Sequence, residues 1–316
     1  MAFFSGNKQT GDEEQTAKNV FHLNLEQKNI LVTGGNGQLG SELKRLVQSH
    51  ENNLQFFFTD VDTLDITRLD EIETFLDENK ISYIINCAAY TAVDKAEDDV
   101  DLCYKINRDA VKNLALAATK HNAKVIHVST DYVFDGTSTS PYKETDPVNP
   151  KSVYGESKQE GEAVLMEICP NSIIIRTAWL YSIYGNNFVK TMIKLGKERE
   201  SLNVVADQAG TPTNAADLAC AIVKIIDYSE ANGLKSGIYH YSNEGVATWY
   251  DFTLLIHKLA GITTCKVSPI PTSDYPTRAV RPQYSVLDKS KIKSTFGISI
   301  PKWEDSLAVC ISELTV

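Results

Sequence analysis

The chain has 316 residues, 42% of them hydrophobic and 23% charged, with a formal net charge of -10 and a pI near 5.2. That length can bury one large core or two modest ones. The acidic balance, with Lys and Arg scattered, argues against a nucleic-acid-binding face, because such a face needs clustered cations to displace counterions.

The first stretch, "MAFFSGNKQTGDEEQTAKN", is polar and aperiodic and lacks a basic segment followed by a long apolar run. Residues 1–28 therefore read as a disordered leader or tag without assigned function. No later segment reaches membrane-spanning length, so no membrane partner is expected and the chain reads as cytoplasmic. Six cysteines, at 87, 103, 169, 220, 265 and 310, show no C-x-x-C and no His spacing suited to zinc. They read as reduced, mostly buried thiols.

From Asn29 the pattern alternates: "NILVT", "QLGSELKRLVQSH", "LQFFFTD", "LDEIETFLDENK" and "YIINCAA" form a βαβαβ series. A helix follows near residues 101–121, then a strand "KVIHVST", a helix containing "VYGESK", and a strand "SIIIRTAWL". Such alternation predicts an α/β fold, a doubly wound parallel sheet of Rossmann type with its ligand beyond the carboxyl ends of the strands. The expected division is a dinucleotide-binding core over 29–180 and a smaller, mainly substrate-binding lobe over 181–316, partly interleaved with the core. Pro and Gly punctuate that lobe in "DQAGTPT" and "SPIPTSDYPTRAVRP".

Between the first strand and helix, "LVTGGNGQLGSEL" carries Gly34, Gly37 and Gly40. Glycines there let backbone amides at a helix N-terminus approach a pyrophosphate. A simple β-to-α turn would also use them, but the strand, the helix and an acid closing strand two favour a dinucleotide. That acid, Asp60, would accept hydrogen bonds from ribose hydroxyls and repel a 2′-phosphate, which favours NAD over NADP. Asp65, followed by Ile66, could hold an adenine edge or simply cap the next helix.

Tyr154 and Lys158 lie four residues apart at the start of a helix and so share a face. Such a pair is expected about once by chance in a chain of this composition, and alone means little. Together with the glycine spacing, "NCAA" after strand three and "STD" after strand four, however, it resembles the extended branch of the short-chain dehydrogenase/reductase superfamily. The resemblance runs from Asn29 onward. It implies a catalytic group of Thr130, Tyr154 and Lys158, with Lys158 favouring the Tyr154 anion and also holding the nicotinamide ribose. Cofactor contacts are expected at Gly34, Gly37, Gln38, Leu39, Gly40, Asp60, Asp65, Ile66, Ala88, Ala89, Tyr90, Asn107 and Lys158. For Asn107, a solvated helix residue is nearly as good a reading.

Further segments, "NCAAYTAVDKAE", "HVSTDYVFDG", "RTAWLY", "GNNFVKTM", "DQAGTPT" and "YPTRAVRP", are similar to the dTDP-4-dehydrorhamnose reductase family. That similarity implies a dTDP-sugar substrate, NADH or NADPH as hydride donor, and substrate contacts from Thr91, Val93, Tyr132, Trp179, Asn187 and Arg281. Aromatics at strand ends are also common core residues, Asn187 could cap a helix, and Arg281 could be a solvated loop charge. Some family members dimerise around a divalent metal. Glu42 and Glu313 match two of its ligand positions, but the third falls on Ala216, beside Asp217. Two isolated surface acids are therefore expected rather than a metal site, in a monomer or homodimer.

A nucleotide-sugar dehydratase or epimerase would share the fold, but "TDYVF" has Tyr132 and Val133 where a dehydratase would carry a Glu. The regulatory β subunit of methionine adenosyltransferase, a binding protein, has a stretch like "DYVFDG". The reductase-like loops weigh against the epimerase, and the intact Thr130, Tyr154 and Lys158, together with "TAVDKAE", favour the reductase over the binding protein.

Overall fold

The structure is a computed structural model that describes residues 27–48 and 53–314. Nearly all of the leader assigned to 1–28 lies outside the described residues, although Lys28 already opens the first strand. The first half runs β1 (Lys28–Thr33), α1 (Gln38–Val47), β2 (Leu54–Phe58), α2 (Leu69–Glu78), β3 (Ile81–Asn86), α3 (Val93–Ala96), α4 (Val100–Tyr104), α5 (Ala110–His121), β4 (Lys124–Thr130), α6 (Val153–Ile168) and β5 (Ser172–Thr177). The second half runs β6 (Leu180–Tyr181), α7 (Phe188–Glu198), β7 (Ser201–Val205), β8 (Ala209–Gly210), β9 (Thr213–Asn214), α8 (Ala215–Asn232), β10 (Gly237–His240), β11 (Ala247–Thr248), α9 (Trp249–Leu259), β12 (Lys266–Ile270), α10 (Ser290–Phe296) and α11 (Trp303–Leu314).

Six strands form the main sheet in the order β10-β5-β4-β3-β1-β2, and every pairing is parallel. The strands are apolar on both faces because both faces are covered by helices. Leu39 and Leu43 of α1 join Leu218, Ile222 and Ile225 of α8 on one side. Ile72 and Leu76 of α2, Leu114 of α5 and Leu165 of α6 cover the other. The sheet is thus doubly wound, and chain order reverses between β1 and β3, where such sheets open a crevice for ligand. β10 and α8 lie beyond residue 180 yet belong to this core.

The rest of the second half gathers α7, α9 and α11 around Val189, Phe252, Ile256, Trp303 and Leu307, with β7 paired to β12. Trp179 packs against this cluster and against the one formed by Val133, Phe134, Tyr142, Ala178 and Leu287. It therefore sits at the joint between lobe and core.

Two local departures from the sequence pattern bear on function. The expected helix over 101–121 is split by a π turn at Lys105–Asp109, a wider coil often found at functional sites. The expected strand "SIIIRTAWL" breaks after Thr177, and Trp179 adopts φ +48°, a left-handed conformation costly for a bulky side chain.

The described cysteines are free: four are buried, Cys87 is half-buried and Cys220 is exposed. No described helix is long and apolar enough to cross a membrane.

Beside the site, Glu162 of α6 and Arg176 of β5 form a buried bidentate pair, with Nη2 to Oε2 at 2.6 Å and Nε to Oε1 at 2.9 Å. Ser129 of β4 donates to the same carboxylate at 2.5 Å. Removing one charge leaves the other buried and unpaired, so Arg176→Met should cost about 3–5 kcal/mol. Adding Glu162→Leu should recover most of that loss. Urea unfolding of the single and double variants checks both values.

Candidate active site

Gly34, at φ +65°, lies so close to the loop after β3 that a Cβ on it would be 2.7 Å from the Ala88 nitrogen. A Cβ on Gly40 would be 2.4 Å from the Gly34 carbonyl oxygen. The loop is thereby pressed against both the following helix and the neighbouring strand end, with Gly37 as the N-cap of α1. The Gly35, Asn36 and Gly37 amides are bonded to the Thr59 carbonyl, Asp60 and the Gly34 carbonyl, so the amides that could meet the pyrophosphate of a dinucleotide are those of the first turn of α1, which have no intrahelical partner.

Asp60, after β2, accepts from the Asn36 amide at 3.0 Å and the Val61 amide at 2.9 Å. Its carboxylate is thus held beside the glycine loop. Asp65 accepts from the Thr67 amide at 2.9 Å, a turn contact that also holds its carboxyl below the ordinary range. Ile66 and Leu39 are buried in the core.

Asn107, within the π turn, is buried rather than solvated. Its Oδ1 accepts from the Tyr90 amide at 2.9 Å, and its Nδ2 donates to the Tyr90 carbonyl at 3.1 Å and to Ser157 Oγ at 3.0 Å. It clamps the Ala88–Tyr90 loop to α6, so its own amide is spent on protein.

The proposed catalytic side chains converge at the end of β4. Thr130 is the last residue of that strand; its Oγ1 donates to Asp131 Oδ1 at 3.0 Å and accepts from the Tyr132 amide at 3.2 Å. Ser152 caps α6 by accepting from the Gly155 amide, which sets Tyr154 and Lys158 one turn apart on the helix. Tyr154 is within hydrogen-bonding reach of Thr130, and burial pushes its phenol well above the ordinary value. Its ring meets that of Tyr132 edge-on at 5.5 Å.

Lys158 is 2% exposed. Its Nζ donates to the Val128 carbonyl at 2.7 Å and lies 3.2 Å from His127 Nε2. The amine turns into β4, and the surroundings of Tyr154 stabilise the protonated phenol. Burial also lowers the Lys158 pKa to about 8, opposed by Glu162, Cys103 and Cys87.

Arg281 comes from the lobe. It donates to Tyr132 Oη at 2.9 Å and pairs with Asp94 at 2.5 Å, while the Ala279 amide donates to Asp94 at 3.1 Å. Arg278 pairs with Asp98 alongside. The 278–281 segment therefore reaches across the loops that follow β3 and β4, close to exposed Thr91 and half-buried Val93.

Trp179 stacks on Trp249, with ring centroids 3.5 Å apart and planes at 8°. Asn187 is a helix cap: its Oδ1 accepts from the Lys190 amide, and its Nδ2 donates to Gln38 Oε1 and to the Ser182 carbonyl. It ties the lobe to the glycine loop.

Glu42 and Glu313 are not isolated acids. Arg45 joins them, at 3.0 Å from Glu42 and 2.6 Å from Glu313, and Glu42 is buried, accepting from Ser182 at 2.6 Å. A guanidinium lies where a metal would have to bridge these two acids. Asp217 accepts from Asn243 and Ser306. Among the described residues, no group of three His, Cys, Asp or Glu is disposed to hold a metal ion.

Sequence reasoning passed over His127, Asn86, Asp94 and Asp131. Polar residues within the apolar runs "YIINCAA" and "KVIHVST" were a usable signal, since a buried polar group must find a partner. Asp131, 2% exposed, is pushed by burial from 3.8 up to about 6, against hydrogen bonds from Ser285 and Thr130. The folded state keeps this proton where the unfolded chain has lost it. Stability contributed here is therefore present at low pH and falls as pH rises from about 4 to about 6. The stability of Asp131→Asn relative to wild type should grow by about 2–3 kcal/mol across that window. Denaturant titrations at several pH values check it, and a pH-independent difference would contradict it.

The family whose sequence pattern matches residues 28–316 is described as "RmlD substrate binding domain". A dTDP-4-dehydrorhamnose reductase of Aggregatibacter actinomycetemcomitans is 44% identical over 284 residues, covering 88% of this chain and 96% of that protein. The crystal structure of a dTDP-4-dehydrorhamnose reductase from Clostridium acetobutylicum superposes with a TM-score of 0.86 at 45% identity, covering 91% of this chain and 100% of that one. The Bacillus anthracis enzyme, crystallised in complex with NADP, gives a TM-score of 0.85 at 39% identity, over 91% and 99% of the two chains. With the glycine loop, the strand-end cluster and the lobe segment all present in one fold, the chain belongs to the RmlD substrate-binding-domain family.

Proposed function

We propose that this protein reduces the 4-keto group of dTDP-4-dehydro-L-rhamnose to the alcohol of dTDP-L-rhamnose, using NADH or NADPH. The observation that carries the reading is the contact of Tyr154 with Thr130 at the end of β4, with Lys158 buried one turn further along α6, beneath a lobe segment that brings Arg281 onto Tyr132. The names of the relatives agree with it.

The dinucleotide would be held by the first-turn amides of α1 behind the glycine loop, by Asp60 and by the Ala88–Tyr90 loop. A reduced nicotinamide bound there supplies the hydride. Tyr154 keeps its proton because burial disfavours the phenolate. It delivers that proton only to a stronger base, the oxygen that gains charge as the carbonyl is reduced. Thr130 orients the phenol and can turn its own hydroxyl to the same oxygen. Arg281 offers the diphosphate a planar, charge-assisted donor pair, for which Asp94 serves as the resting partner. Tyr132 and Trp179 contribute the walls beside the sugar and nucleotide.

The lobe matters because anchoring the diphosphate places the carbonyl against Tyr154 and turns remote binding into correct orientation. Asp60 favours an unphosphorylated ribose, while the NADP bound by the Bacillus anthracis relative supports use of the phosphorylated cofactor as well.

Tyr154→Phe should leave dinucleotide affinity nearly unchanged and lower turnover by roughly 100-fold or more. Loss of absorbance of the reduced cofactor with dTDP-4-dehydro-L-rhamnose follows the rate, and calorimetry follows the affinity. Near-normal turnover in the variant would remove Tyr154 as the acid.

A further inference from the structure

Asp207, Gln208 and Ala209 open the lobe segment "DQAGTPT" and hold both feet of one loop. β7 and β12 pair in parallel with Val205 opposite Ile270, so Asp207 and Thr272 emerge side by side. The Thr272 amide donates to both Asp207 carboxylate oxygens at 2.9 Å, and its hydroxyl donates to Oδ1 at 2.6 Å. At the other foot the Ala209 amide donates to the Gln283 carbonyl at 2.8 Å. Residues 272–283 thus form a strap fastened at its base, and Arg281 lies on its returning limb.

Gln208, 6% exposed, stands between this strap and the aromatic wall. An indole N–H can only donate, so Trp249 Nε1, at 3.2 Å, must face the Gln208 carbonyl oxygen. The NH2 group of the same amide is thereby turned to Thr272 Oγ1 at 3.1 Å, and the hydroxyl proton of Thr272 goes on to Asp207. The sense of the row is fixed from end to end. Trp249 in turn stacks on Trp179, whose indole lies against Gly210, where a Cβ would be 2.6 Å from the ring. We infer that Gln208 is a positioning residue for sugar-nucleotide binding: it couples the stacked indoles to the strap carrying Arg281, so that wall and anchor are set as one unit. This deepens the reductase reading and rests on it for the identity of the ligand. Gln208→Leu strands the Trp249 N–H and cuts the strap from the indoles, while Thr272 keeps its bonds to Asp207. The indoles keep their stack and the strap keeps its feet, but neither then fixes the other.

Two arms test the coupling. Proton NMR of the ligand-free enzyme reads the indole N–H signals of its 3 tryptophans, with that of Trp249 identified by its loss in Trp249→Phe. Thr272 meets Trp249 through Gln208, so Thr272→Val, which removes the acceptor of the Gln208 amide, should shift the Trp249 signal. In a Gln208→Leu background the same change should leave that signal in place. In the second arm, calorimetry with dTDP should show affinity lowered roughly 10-fold by Gln208→Leu, with NADH affinity unchanged, a split that general loosening of the fold would not give. The inference is overturned by a Trp249 signal that Thr272→Val leaves in place, by an equal shift in the Gln208→Leu background, or by wild-type dTDP affinity in folded Gln208→Leu. If the wild type fails to bind dTDP, the reductase reading falls, and the NMR arm still decides the coupling.

Discussion

The carboxyl ends of β1 and β3 are locked to the middle of β4 by one buried amide. In the parallel register Thr33 lies opposite Asn86, and Asn86 opposite His127. Asn86 bonds both neighbours as well as the Ala88 amide that starts the next loop. Breaking this row would strand several polar groups in an apolar interior, each at a cost of about 1–3 kcal/mol. The row therefore holds the strand ends level. The glycine loop above β1, the Ala88–Tyr90 loop above β3 and Thr130 at the tip of β4 all inherit their relative positions from it.

Around this frame the remaining parts are added by capping and by charge. Ser152 starts α6 at the point that puts Tyr154 beside Thr130, and Asn107 fastens that helix to the loop after β3. Asn187 ties the lobe to Gln38, and Arg281 with Asp94 ties the lobe to the strand ends. The low dielectric that makes unpaired groups costly also keeps Tyr154 protonated and makes Lys158 easy to discharge. Structure and proton chemistry thus share one cause, the exclusion of water from the strand ends.

Much of the fold was legible because it rests on periodicity. The alternation of β runs and amphipathic helices carries the doubly wound sheet, and the glycine spacing marks the first turn. The π turn at Lys105–Asp109 was not visible, since one extra residue in a coil barely changes the apolar pattern. Nor was the reversal at Trp179, which depends on Gly210 leaving room for the indole, with a Cβ there only 2.6 Å from the ring. Thr130, Tyr154 and Lys158 were readable through family resemblance, but the direction of the Lys158 amine was not. The amine's partners, the Val128 carbonyl and His127, lie 30 and 31 residues earlier in the chain. Likewise, Glu42 and Glu313 read as separate acids until folding places Arg45 between residues 271 positions apart.

The central claim is that the strand-end cluster guides hydride to one carbon of a sugar nucleotide while Tyr154 protonates the attached oxygen. Reduced nicotinamide cofactor carrying deuterium at the transferable position, incubated with the enzyme and dTDP-4-dehydro-L-rhamnose, tests this through proton NMR of the product. The account predicts dTDP-L-rhamnose with deuterium at C4 alone, seen as loss of the H4 signal with the other ring protons intact. Deuterium at another carbon, or a sugar nucleotide recovered unreduced in the presence of both cofactors, would contradict it.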